Sequence, residues 1–218
     1  MNSNGERADQ AADATVTLAY EMGFLKALPR SGWLRAGIPS PESVAAHSWR
    51  VAVLAFVIAL GEGADAHRAA VLGLFHDLPE TRSGDVAAAG KSYVSIVPAV
   101  EIAADQTAEL PDELAEQIRA AVAEHEGAKT AGATLEARCS RDADKLELLL
   151  QAREYAHAGQ GVGSMPRYIE SMVPLITTTT GKALRDAALR VSPAAWWDDF
   201  ARRFGGPEQG QRPIRIAK

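Results

Sequence analysis

Apolar residues recur at helical spacing through most of this chain, and no stretch shows the clean period-two alternation of a half-buried strand. Residues 14–28 set Val16, Leu18, Ala19, Met22, Leu25 and Lys26 in an amphipathic pattern. Pro29 ends it, because proline lacks an amide donor and clashes with the preceding turn. A linker with Gly32, Gly37, Pro39 and Pro41 follows, carrying Trp33 and Arg35. The next predicted helix starts near residues 41–43 and runs to Leu60, where Gly61 and Gly63 stop it. Its expected buried stripe is Val44, Val51, Leu54, Val57 and Ile58. A third, residues 65–77, is apolar at Ala69, Val71, Leu72, Leu74 and Phe75. It breaks at Leu78, since a residue before proline avoids the helical region.

Residues 83–96 read as loop with a short helix, and further helices are predicted at 98–108, 111–126, 134–158, 166–176, 181–190 and 193–204. Pro111 suits a first helical position, and Asp112 and Glu113 then face the positive end of the helix dipole. The final GGPEQGQRPIRIAK is rich in helix breakers, and no internal repeat is present. The pattern is that of an all-α protein with one domain, residues 13–204, between flexible tails at 1–12 and 205–218.

Composition agrees. Roughly a fifth of the residues are alanine, the best helix former, and β-branched runs are scarce. A chain of 218 residues suits one domain and buries enough surface for a core without covalent staples. Its single cysteine, Cys139, excludes an intramolecular disulfide and a thiolate metal cluster, and fits a reducing compartment. The net charge of −5, with Lys and Arg scattered, excludes broad binding to a nucleic-acid polymer or an anionic membrane. Phosphate loops of the GxxxxGK[ST] and GxGxxG kinds are absent, the polar MNSNGERADQ start is no signal peptide, and the longest apolar run, residues 51–60, is too short to cross a bilayer. A cytoplasmic, globular enzyme or ligand-binding protein is expected.

The candidate chemistry lies in an ordered series. His76-Asp77 closes an apolar helix, and although neighbours on a regular helix diverge, both reach one ion where the helix ends. His47 sits mid-helix among apolar residues, and Asp144 begins the apolar DADKLELLL. Each has an ordinary explanation alone: a hydrogen-bonded core histidine, an uninformative dipeptide, an N-cap at Asp142 or Asp144. The ordered set on successive apolar helices reverses that balance. Two imidazoles and two carboxylates suit a divalent ion and leave coordination positions open for water and substrate. Of the other histidines, His125 reads as a cation at a helix C-terminus, and His67 and His157 as surface residues. Arg50 is expected in an ion pair, and Lys145 beside an acidic neighbour.

The segments PESVAAHSWRVA, LFHDLPETRSGDV and DADKLELLLQAREY resemble the HD-domain metal-dependent phosphohydrolase superfamily, and within it the 5'-deoxynucleotidase-like HD family. The resemblance spans about residues 30–155. It implies a single HD-domain helical bundle with metal ligands at His47, His76, Asp77 and Asp144, and an acid/base residue at Glu80. It also implies a sugar contact at Asp85 and a pocket aromatic at Trp33. Some members carry an arginine where this chain has Gly32, and Arg30 or Arg35 stands in for it. The implied cofactor is one divalent ion (Mn, Co, Fe, Ni or Mg). The implied substrate is a nucleoside 5'-monophosphate, preferably deoxy, acted on by a homodimer. Other nucleotides (cyclic, alarmone or triphosphate) and a non-catalytic nucleotide-binding dimer are the competing readings. The acidic balance disfavours a polymer but not one small anion, because a bound cation supplies its own local positive charge.

Overall fold

The computed structural model describes residues 3–205, and no strand occurs among them. Helix α1, Ser3–Gly23, leads into a 3-10 turn, Phe24–Lys26, and the short α2, Ser31–Arg35. The central elements are α3, Val44–Glu62, and α4, Ala66–Phe75. Two one-turn helices, α5, Glu80–Ser83, and α6, Ala88–Lys91, cross to α7, Ala99–Gln106, and α8, Asp112–Glu126. The long α9, Leu135–His157, is followed by α10, Met165–Met172, α11, Thr179–Arg190, and α12, Ala195–Phe204. The fold class expected from periodicity is the one observed.

Helix α3 lies against α4 and α9, and Val51, Ala55, Ile58, Ala69, Cys139, Ala143 and Leu146 form the core between them. The close approach of α3 and α4 depends on Gly73, where a Cβ would lie 3.1 Å from Ala52 Cα. Ser43 and Thr134 cap α3 and α9 by accepting the amides of Ala46 and Ala137. Leu18 of α1 packs with Leu78, Leu110, Ala115 and Ile118 in a second cluster. Glu21 of α1 accepts hydrogen bonds from Thr81, Arg82 and Gln106, which ties α1 to α5 and α7.

Three expectations change. Helix α1 runs back to Ser3 through the segment read as a polar tail, and its α-helical part ends at Gly23 rather than Pro29, where glycine weakens the helix. Residues 31–35, read as linker, form α2. Its stability is tertiary: Ser31 N donates to Asp85 Oδ2 at 2.8 Å, Tyr168 donates to the Gly32 carbonyl, and Trp33 is 1% exposed. The stripe on α3 is narrower than its hydropathy suggests, since Val44, Val51 and Ile58 are buried while Val57 is 42% exposed. Val71 and Leu74 of α4 are exposed as well. Residues 206–218, most of the expected C-terminal tail, lie outside the described residues.

Candidate active site

Three helices converge beside one cavity of about 450 Å³, within the range of small-molecule sites; His76, Asp77 and Asp144 line it, and His47 lies next to them. The first turn of α3 delivers His47, the end of α4 delivers His76 and Asp77, and the middle of α9 delivers Asp144. Asp144 lies well inside α9, and Thr134 caps that helix, so the N-cap reading of Asp144 does not hold. Asp142 instead accepts the amides of Thr177 and Thr178 before α11.

Ligand atoms of His47, His76 and Asp144 all lie within 4.8 Å of one another. The Nε2 of His47 is 3.4 Å from Asp144 Oδ1 and 3.7 Å from Asp77 Oδ2, and His76 Nε2 is 3.2 Å from Asp77 Oδ2. All four ligands expected from sequence are therefore brought together. Their tautomers suit a metal. His76 Nδ1 donates to the Gly73 carbonyl at 2.8 Å, and His47 Nδ1 donates to Glu147 Oε2 at 2.6 Å. Both bonds put the proton on Nδ1 and direct a lone pair from Nε2 into the cluster. Neither Nε2, although buried, has a hydrogen-bond partner. Two orphaned buried nitrogens facing two carboxylates are what a divalent cation would satisfy, so the residues fit the implied ion.

The electrostatics follow from this crowding. Burial and Arg30 oppose a charge on His47, yet Asp144 and Glu147 outweigh them and push it up to about 10, so the site draws a positive partner to Nε2, proton or metal. Burial works against ionisation of Asp77, but His76 and Arg30 prevail and hold its carboxyl well below the usual range. Asp144 is also held low: against burial, Lys145 contributes most, its Nζ 2.6 Å from Oδ2. Glu80, the first residue of α5, behaves oppositely. Burial, then the neighbouring Asp77, raise it to about 9, and its buried Oε2 has no hydrogen-bond partner.

Of the two arginine candidates, the structure places Arg30 at the cavity. Arg30 Nη1 lies 3.0 Å from Asp77 Oδ2, 3.7 Å from Glu80 Oε2 and 3.6 Å from Asp85 Oδ2, whereas Arg35 is exposed and does not line the cavity. Asp85 lines the cavity after Gly84, whose positive φ of 71° turns the chain at the end of α5. Trp33 lines the cavity from a position largely in the core against Tyr155 and Tyr168, and its Nε1 donates to Glu42.

Two residues escaped sequence reasoning. Glu147, one turn after Asp144, orients His47 and is itself held by Arg50, which also reaches Glu154. His125 lies in the last helical turn as expected but not as a solvated cation: it is buried, its ring centroid is 4.8 Å from that of His76, and it lines the cavity. Burial, then His76, lower its pKa to about 3. The expected ion pairs of Arg50 and Lys145 and the exposure of His67 and His157 are as read.

The family profile described as HD domain matches residues 22–165. The chain belongs to the HD-domain family. It is 32% identical over 152 residues to the human 5'-deoxynucleotidase HDDC2, covering 69% of this chain and 72% of that protein. Similarity to the fission-yeast 5'-deoxynucleotidase hdd1 is 28% over 152 residues, covering 66% of this chain and 73% of the relative. Among solved structures, a conserved hypothetical protein from Pyrococcus furiosus superposes with a TM-score of 0.63 at 28% identity, over 81% of this chain and 99% of that one. A protein from Magnetospirillum magnetotacticum named as a predicted metal-dependent phosphohydrolase gives 0.61 at 26% identity, over 84% of this chain and 100% of the other. With the HD family comes a divalent metal, and this HD-domain chain is a metal-dependent phosphohydrolase.

Proposed function

We propose that this HD-domain protein hydrolyses deoxynucleoside 5'-monophosphates to nucleoside and phosphate. The observation that carries the reading is the pair of orphaned imidazole nitrogens beside Asp77 and Asp144, next to a cavity of about 450 Å³ lined by His76, Asp77, Asp144, Glu80, Asp85 and Arg30. The names of the HDDC2 relatives support the same substrate class.

His47, His76, Asp77 and Asp144 would hold a divalent ion, which would supply a Lewis acid for a phosphoryl oxygen and acidify bound water. The chain does the rest. Glu147 and the Gly73 carbonyl fix the two imidazoles, so that no rotamer search accompanies binding. Arg30 sits among Asp77, Glu80 and Asp85 and holds three carboxylates together against their mutual repulsion. The Glu80 carboxyl, without a hydrogen-bond partner at Oε2, moves the proton that hydrolysis requires, to the leaving 5'-oxygen or from the attacking water. Asp85 keeps one oxygen on the Ser31 amide and accepts from a sugar hydroxyl with its remaining lone pairs. A homodimer belongs to the same reading: Trp49, Val53, Val57 and Leu60 form one exposed apolar stripe on α3 suited to a second copy, and sedimentation of the purified protein tests it.

The test is phosphate release, in several divalent metals, from the four deoxynucleoside monophosphates, their ribose counterparts, and cyclic, alarmone and triphosphate nucleotides. Metal-dependent release from the deoxy monophosphates, lost in His76→Ala, is expected. Preferential turnover of another nucleotide class would replace this substrate, and tight monophosphate binding without turnover would replace catalysis with sensing.

A further inference from the structure

His125 lies in the last turn of α8, with Nδ1 2.8 Å from the hydroxyl oxygen of Ser140 on α9. Ser140 is fully buried, and among the described residues its hydroxyl has no other hydrogen-bond partner. A buried hydroxyl places its proton on an available acceptor. Ser140 therefore donates to His125 Nδ1, and the imidazole proton resides on Nε2. This is the reverse of His47 and His76, whose Nδ1 atoms donate and whose Nε2 atoms offer lone pairs. His76 on the cavity wall and His47 beside it are thus built to bind a cation, and His125 is built to donate. His125 lines that cavity, and its Nε2 has no protein acceptor among the described residues.

The surrounding charges select the acceptor. On one side the cavity is lined by Asp77, Glu80 and Asp85, with Arg30 and Lys91 among them; on the side of α8 and α9 it is lined by Lys129, Arg141 and Lys145 against Glu126 and Asp144, the last paired with Lys145. The Nε of Arg141 is buried without a partner. A dianionic group is favoured on the α8–α9 side, and a hydroxyl-bearing sugar on the other.

We propose that His125, fixed as a donor by Ser140, donates Nε2–H to a phosphoryl oxygen of the bound substrate. The proposal rests on the monophosphate reading above and adds an orientation to it: phosphate toward α8 and α9, sugar toward Asp85.

Nitrogen-15 NMR of the imidazoles reads the tautomer directly, and inorganic phosphate binding to the metal-loaded protein reads the contact. The expected results are a proton on His125 Nε2, and phosphate binding weakened about tenfold in His125→Ala, the usual effect of losing a hydrogen bond to a charged group. His125→Gln, whose amide restores a donor, recovers most of that loss, while deoxyadenosine binding is unchanged in both variants. A proton on Nδ1 overturns the assignment, as does a phosphate affinity indifferent to His125→Ala. Phosphate binding through His125 in a protein that hydrolyses no nucleotide would remove the substrate reading and leave this contact standing.

Discussion

His47 and Glu147, a hundred positions apart in sequence, meet through Nδ1 and Oε2 at 2.6 Å with both side chains fully buried. The contact sets which imidazole nitrogen carries the proton, and Arg50 offsets the buried carboxylate by donating to its other oxygen at 2.7 Å. Glu147 would thereby act on an ion held by His47 without lying in the proposed ligand set. Glu147→Gln keeps the shape but offers a weaker acceptor, so metal affinity is expected to fall about 10–100-fold. Titration calorimetry with Mn²⁺ or Co²⁺ checks it, and unchanged affinity would show that His47 needs no orienting partner.

Metal should stabilise the folded protein, because the converged ligands exist only in that state. At a free concentration a hundred times its dissociation constant, a ligand adds about 2.7 kcal/mol. Thermal melts should rise on adding divalent cation and fall again with chelator, and His76→Ala should abolish both responses. A rise that persists in His76→Ala would place the stabilising ion elsewhere.

Glu80→Gln removes the mobile proton but keeps a polar group of similar size beside Arg30. The expected result is a fall in kcat on the order of a hundredfold or more, with bound metal per chain unaltered. Full activity in this variant would transfer the proton-moving role to another group.

The convergence of the four candidate metal ligands is legible in sequence because such residues are few in kind and sit on helices whose periodicity is clear. His47, His76, Asp77 and Asp144 stand out as polar residues embedded in apolar helical runs. What stayed hidden depends on long-range geometry. Glu147 looks like an ordinary helix-face carboxylate until α3 lies against α9. His125 at the end of an amphipathic helix has the local signature of an exposed cap residue, and only the packing of α8 beside α4 and α9 buries it. Helix α2 has no propensity signal, since the contacts of Ser31, Gly32 and Trp33 with Asp85, Tyr168 and the core create it.

Acid should loosen the seam between α1, α5 and α7. The Glu21 carboxylate accepts from Arg82, Gln106 and Thr81, and Arg82 foremost lowers its pKa to about 2. A carboxyl that titrates lower in the folded chain than its usual value of about 4.3 stabilises the fold above that value. The contribution then falls away as pH drops from about 4.3 toward 2. Glu21→Gln should flatten this part of the stability profile, measured as the urea midpoint at successive pH values. A profile equally steep in the variant would assign the acid sensitivity to other carboxylates.

Gly73 links packing to the metal site most directly. A Cβ there would lie 3.1 Å from Ala52 Cα, 3.2 Å from Ala52 N and 3.2 Å from Val51 Cγ1, and the first two are backbone atoms of α3 that cannot rotate aside. The helices must separate to admit it. Overpacking of this kind costs about 1–3 kcal/mol. The same residue's carbonyl accepts from His76 Nδ1, and α3 carries His47, so separation also stretches the distance between the two Nε2 atoms that face the ion. Gly73→Ala is therefore expected to lower the melting temperature and, in the fraction that remains folded, to weaken metal binding. Ala69→Gly on the same helix should lower stability without that second effect, because Ala69 lies in the hydrophobic core and supplies no bond to a ligand. Equal losses of metal affinity in the two variants would mean that general destabilisation, rather than the α3–α4 spacing at Gly73, governs the site.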